Sequence, residues 1–382
     1  MKSFLAIWVL LSAINGNCQD SALKKDQFNY SGYIKDLAWI RFDKGFKNAY
    51  ATNLVHNRIN VKWNPSKKIS GRIELRNRFY WGDDVRILPN FKEQLSGQSN
   101  STNLSATWWQ THSTIFHSNV ERLWLEYRKS NWNLRAGRQR INWGITNIWN
   151  PNDLFNTYNF LDFDYEERPG SDAVKALYSV GDLSNIELAY AKTKEHSITA
   201  VKYFTNYKKY DLQLITGIYE NIFTTGIGWA GSISDVGFKG EMQYYAEQKD
   251  SVSNFTSTIE ADYIFKNGWY LSAAILYNQK GLHEPLSEET NIVFEATPRN
   301  LMPAKWNILI NSSREFTLRF NGSMNIVYSP QVNMIILFPS FSYNLKPNLD
   351  LNFVYQSYFA EEKIFQALSH TAFVRLKWSF AK

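Results

Sequence analysis

Arginine recurs on the polar side of neighbouring alternating segments: Arg58, then Arg72, Arg76 and Arg78, then Arg122 and Arg128, then Arg135. In an extended chain alternate residues share a face, so Arg72, Glu74, Arg76 and Arg78 form one wall, and Lys62 joins Arg58 on another. Guanidinium groups ranked along a wall inside a low-dielectric surround focus a positive potential, and the chemistry that follows is attraction of small anions. The competing reading is structural, with the arginines pairing with acids of a segment folded in against them. Such acids are present: Asp153, Asp162, Asp164, Glu166 and Glu167 lie close together with Asn150, Pro151 and Arg168. On either reading this stretch is expected to narrow the space that the arginines face.

Catalysis finds little support. The six histidines, His56, His112, His117, His196, His283 and His370, are scattered, and none sits in a Gly-x-Ser-x-Gly or His-Glu-x-x-His setting. His112 and His117 share a connection, but their spacing is not that of a metal site. No catalytic residue, metal or cofactor is therefore expected, and the chain is read as a non-enzyme. The basic residues alternate along strands instead of clustering on one helix, which argues against nucleic acid as a partner.

The elements that must position the arginines are strands. Val236, Phe238, Gly240, Met242 and Tyr244 alternate with Asp235, Gly237, Lys239, Glu241 and Gln243. Phe255, Ile259, Ala261, Tyr263 and Phe265 alternate in the same way with Thr256, Thr258, Glu260 and Asp262. From Glu315 to Tyr328, Phe316, Leu318, Phe320, Met324 and Ile326 share one face. A tilted bilayer crossing takes ~9–11 residues, and an inner face this charged suits a wet lumen better than the dry interior of a sandwich. Leu318 is accordingly expected to face lipid.

Composition agrees. The chain has 14 Trp, 22 Tyr and 25 Phe, no apolar run near the ~18 residues of a membrane helix after its first residues, and aromatics in the number that barrel rims use. Met1, Lys2 and an apolar run from Phe4 to Leu11, followed by small and polar residues to Cys18, read as a signal peptide over 1–18. Its removal would take the sole cysteine and lower the net charge from +7 to +6. Residues 19–28 are expected to be a short periplasmic segment and 29–380 a single barrel domain.

Short turn-forming stretches, among them Asn64-Pro65-Ser66, Ser130-Asn131, Lys208-Lys209 and Lys346-Pro347-Asn348, fall after every second strand. Longer connections are expected at Gly82 to Asn119, Trp143 to Ala173, Gly281 to Leu301 and Ala360 to Ser369. Short turns on one side and long loops on the other mark the periplasmic and external rims of an outer-membrane barrel. The fold class is therefore all-β: a transmembrane antiparallel up-and-down β-barrel of about 18 strands, with 16 as the alternative. The last strand, with Ala372, Val374, Leu376, Trp378 and Phe380 on one face, resembles the signal that barrel-assembly machinery reads, which makes that machinery an expected partner.

Gly137-Arg138-Gln139, then Trp143-Gly144, then Asn150-Pro151 form the most distinctive stretch. It resembles a porin-like family of Gram-negative outer-membrane β-barrel proteins over about residues 120 to 180. The resemblance implies the fold and the compartment, not the solute. The expectation is an outer-membrane porin or channel for passive or selective diffusion of small polar, anion-biased solutes, embedded in outer-membrane lipid. The alternatives are a sealed barrel serving surface polysaccharide or partner assembly, and a lipid-modifying barrel enzyme.

Overall fold

The computed structural model describes residues 27–95, 100–157, 159–162, 164, 170–247, 252–286, 294 and 296–381. The expected signal peptide and residues 19–26 lie outside the described residues, as do Glu166, Glu167 and Arg168.

A 19-stranded antiparallel sheet accounts for nearly everything described. Its strands are β1 (Phe28–Phe42), β2 (Ala49–Trp63), β3 (Ile69–Gly82), β4 (Ser105–Gln110), β5 (Thr114–Lys129), β6 (Trp132–Gln139), β7 (Ser171–Gly181), β8 (Ser184–Lys192), β9 (Ser197–Tyr207) and β10 (Tyr210–Tyr219). They continue as β11 (Ile222–Ile233), β12 (Val236–Tyr245), β13 (Asn254–Ile264), β14 (Trp269–Asn278), β15 (Trp306–Thr317), β16 (Phe320–Ser329), β17 (Met334–Lys346), β18 (Leu349–Glu361) and β19 (Phe365–Ala381). Because β1 pairs with both β2 and β19, the sheet closes and its edges vanish. β4 is not a stave. It lies against β5, Gln110 opposite Ile115, while the other edge of β5 pairs with β3. The wall itself is a closed 18-strand barrel, the higher of the two expected counts.

Alternation explains the wall. On β12 and β13 the inward positions are Lys239, Glu241, Gln243, Thr256, Thr258 and Glu260, and Met242, Tyr244, Phe255 and Ile259 point out. Outward aromatics gather at both rims, with Trp132 against Tyr178 and Trp378 against Phe380 at the turn side, and Phe79 against Trp81, Trp109 and Phe116 at the other. An apolar belt between aromatic girdles is the surface that a bilayer solvates, and it puts the barrel in an outer membrane. At the tight connection 208–209 both residues have positive φ, 50° and 70°, the backbone that matches the right-handed twist of a hairpin.

Three expectations about the wall are corrected, and one irregularity in it lies outside them. Leu318 is not in a strand: β15 ends at Thr317 and β16 begins at Phe320, so Leu318 sits in a turn, 98% exposed. Uninterrupted alternation across 315–328 hid the turn because a tight hairpin preserves the period-2 count. Ala360 to Ser369 is not a long loop, since β18 runs to Glu361 and β19 starts at Phe365. The strand alternation of β5 changes phase at a bulge, where Glu74 pairs with Arg122 but Leu75 with Val120, so Glu121 and Arg122 are both buried on the inner side. Finally, the inner face is not wet all round: Ala189, Ala191, Ala200, Ile215, Leu276, Leu309, Val327 and Ile336 face inward and are buried.

Candidate functional site

The apolar part of the inner face is covered by the connection between β6 and β7. Gly137 has φ 116°, a conformation that side chains resist, and a Cβ there would lie 2.2 Å from the Leu123 carbonyl oxygen. Just beyond it, Arg138 donates to Asp172 at 2.7 Å and to the Val120 carbonyl at 3.2 Å, while Gln139 donates to the Ala173 carbonyl at 3.0 Å. These bonds pin the point where the chain leaves the wall and turns inward.

The segment then divides its contacts between two sectors. Ile141, Trp143, Leu154 and Phe155 pack on Ala173, Ala189, Ala191, Ala200 and Ile215 of β7 to β10, where alanines leave room for tryptophan. Ile148 and Trp149 pack on Leu276, Leu309, Val327 and Ile336 of β14 to β17. Between the two sectors stand carboxylates. Glu241, fully buried, accepts from the backbone N–H of Ile145, of Thr146 at 2.8 Å and of Asn152 at 2.9 Å, and from the side chains of Thr146 at 3.2 Å and Asn150 at 3.3 Å. Glu260 accepts from the Asn147 backbone at 3.0 Å and its amide at 2.6 Å. A buried carboxylate is tolerable only when its oxygens are saturated in this way. The bare Cα of Gly228 completes the seat, since a Cβ there would come within 3.0 Å of Asn152 Nδ2.

Opposite this covered half lies the basic half, on β19, β1, β2, β3, β5 and β6. Arg58 pairs with Glu74, Arg72 also reaches Glu74, and Arg128 and Arg135 share Glu126. Arg135 also lies 4.2 Å over the Trp124 ring. Arg78 donates to the Leu95 carbonyl at 2.6 Å and Arg122 to the Glu121 carbonyl at 2.8 Å. Arg76 lies 3.5 Å from Asp164 and 3.9 Å from Glu121, and its Nε donates to His56 Nδ1 at 3.1 Å.

The loop acids therefore behave differently from one another. Asp164 reaches the basic half: Lys35 bonds it directly, Arg76 is at 3.5 Å and Arg375 at 3.8 Å. Asp162 accepts from the Asp164 backbone at 3.1 Å; its side chain is exposed, and desolvation by the protein enclosing it, together with the charge of Asp164, pushes its carboxyl up to about 6. Asp153 lies away from the arginines of the basic half: it is buried on the far side and accepts from the Trp143 backbone at 3.3 Å. Asn150 and Pro151 are buried in the knuckle held by Glu241. Sequence reasoning missed Lys35 and Arg375, which stand on the first and last strands and meet only because the barrel closes. It also missed the anchoring task of Glu241 and Glu260, although their place on the inward face was readable.

Outside the lumen, Ser357 Oγ lies 2.8 Å from His370 Nδ1 on the outer face. The same nitrogen meets the Tyr355 hydroxyl at 3.0 Å, and Phe46 stacks over the imidazole at a centroid distance of 4.4 Å. With its nucleophile buried and its ring covered, this pair has the geometry of packing and not of an activated serine.

No family model and no curated protein matches the chain in sequence. Solved structures do match in shape. Acinetobacter baumannii OccAB4 superposes with a TM-score of 0.60 at 11% identity, over 94% of this chain and 99% of that one. Pseudomonas aeruginosa OccK9 (OpdG) gives 0.62 at 10% identity, over 94% and 99%. The outer membrane protein OprD from Pseudomonas aeruginosa gives 0.60 at 8% identity, over 93% and 94%. Along nearly its whole length the chain thus has the fold of the porin-like outer-membrane barrels of Gram-negative bacteria.

Proposed function

We propose that the chain is an outer-membrane channel for small polar solutes, biased towards anions, and that its conduit runs along the basic half of the lumen. One observation carries the reading. The inturned segment spends its apolar side chains on β7 to β10 and β14 to β17 and leaves Lys35, Arg76 and Arg375 facing it from the other half. A conduit between a wall of cations and a loop edge carrying Asp162 and Asp164 has a transverse field, which orients dipolar solutes and raises the local anion concentration. Arg58, Arg72, Arg78, Arg122, Arg128 and Arg135 extend the positive potential along the wall, partly offset by Glu74, Glu121 and Glu126. On this reading Asn150, Pro151, Asp153, Asp162 and Asp164 belong to a constriction.

The test is solute flux into liposomes carrying the purified barrel. A neutral sugar and the sugar acid of the same size are both expected to enter, the acid faster, and Arg76→Ala with Arg375→Ala should remove the difference. Influx no faster than through protein-free liposomes would favour a sealed barrel and overturn the proposal.

A further inference from the structure

We propose that the outward face of β1, β2 and β3 is an interface through which the barrel pairs with a second copy of itself within the membrane. Along β1 the outward residues are Tyr30, Ile34, Asp36, Ala38, Ile40 and Phe42, alternating with the inward Tyr33, Lys35 and Leu37. Asp36 lies midway between Tyr30 and Phe42, the aromatics towards the two ends of that face, and so at the depth of the hydrocarbon. It is exposed and has no hydrogen bond or ion pair among the described residues. A carboxylate at that depth, facing lipid, is unfavourable, and residues of this kind face a protein partner or a wet cavity.

Asp36 is not isolated. Asn53 and Asn57 lie on the same outward face of β2, opposite Ala38 and Ile34. Asn57 is directly opposite Asn77, and Asn77 opposite Ser118. These side chains are linked: Asn77 Nδ2 donates to Asn57 Oδ1 at 2.8 Å, Ser118 to Asn77 Oδ1 at 2.6 Å and Trp108 Nε1 to Ser118 at 2.9 Å. The chain ends at Asn57, whose own amide N–H groups donate to no described residue. On β14 and β19, by contrast, the outward positions at mid-wall are apolar: Leu271, Ala273 and Ile275 on the one, Val374 and Leu376 on the other.

The occupant follows from this chemistry. An anionic lipid headgroup is excluded because Asp36 would repel it and the patch offers no lysine or arginine. A second copy inserted in the same orientation presents the same depths. It supplies amide donors of Asn57 to the Asp36 that lacks them, and receives the same in return, which is the self-complementarity of a two-fold contact. Ala38, small, outward and two residues from Asp36, lets the two walls approach.

The experiment is thiol-specific cross-linking in outer membranes together with the native mass of the detergent-purified protein. Ala38→Cys is expected to give a product of two chains, whereas the unmodified chain and Ile275→Cys, on the distant β14, give none. The double variant Asp36→Leu, Asn57→Leu should halve the native mass without lowering the melting temperature. Cross-linking at Ala38→Cys no greater than at Ile275→Cys, a product containing a different polypeptide, or a native mass of one chain for the unmodified protein would each overturn the proposal. Should the double variant not assemble, the cysteine comparison still decides.

Discussion

Replacing Glu241 by alanine removes the acceptor on which the inturned segment hangs. Three backbone N–H groups, of Ile145, Thr146 and Asn152, then lose their partner in a buried site. Each orphaned donor costs ~1–3 kcal/mol, so the docked knuckle is destabilised by about 3–9 kcal/mol. At ~1.4 kcal/mol per tenfold, even the lower bound shifts the docked-to-undocked ratio by roughly a hundredfold. Burial of Trp143 and Trp149 opposes release at ~1.5–3 kcal/mol for a large apolar side chain. The segment is therefore expected to fluctuate at its 145–152 knuckle while its tryptophans keep it inside. Single-channel recording is the assay: Glu241→Ala should show noisier, larger open levels than the unmodified barrel, and Glu195→Ala, in an exposed turn, should not. Glu241→Ala channels with unaltered conductance and noise, in a barrel that still assembles, would mean that apolar packing alone holds the segment.

Three further outcomes are expected. Gly228→Leu, which puts a side chain where Asn152 Nδ2 already lies 3.0 Å from the added Cβ, should displace the knuckle and raise conductance as Glu241→Ala does. Ile275→Lys, at an outward position 48% exposed in the middle of β14, should cost ~2–4 kcal/mol and depress assembly measured by heat-modifiable migration, while the inward Asn321→Lys should assemble normally. Because the Asp162 carboxyl is raised to about 6 from 3.8, the folded barrel binds its proton more readily than the unfolded chain. Its contribution to stability therefore grows as pH falls from about 6 towards 4 and is lost as pH rises through 6. The same protonation removes a negative charge facing Arg76, so anion preference should increase between pH 7.5 and pH 5, and Asp162→Asn should show the low-pH preference at both.

How much was legible depended on the range of the interaction. The barrel, its turns and its inward and outward faces follow from a period of two, which sequence displays directly, as the faces of β12 and β13 illustrate. Leu318 was misplaced because a tight turn leaves the alternation intact, and Glu121 was overlooked because a bulge breaks it. The ion pairs of the basic wall are mostly local, between residues two apart such as Arg72 and Glu74 or on adjacent strands such as Arg135 and Glu126. They needed no loop to satisfy them. The seat of the loop is the opposite case: Glu241 and Thr146 are 95 residues apart, and nothing in the spacing of either announces the other. Asp164 was recognisable as an acid of an inturned segment, but its partners Lys35 and Arg375 adjoin it only through closure of β1 on β19.

The reversal potential of single channels in a salt gradient tests the central claim most directly. A conduit along Lys35, Arg76 and Arg375 predicts steady ohmic steps whose reversal potential lies on the anion side, moving towards zero in Arg76→Ala, Arg375→Ala. An absence of steps, or a cation-side reversal potential that those substitutions leave unchanged, would contradict it.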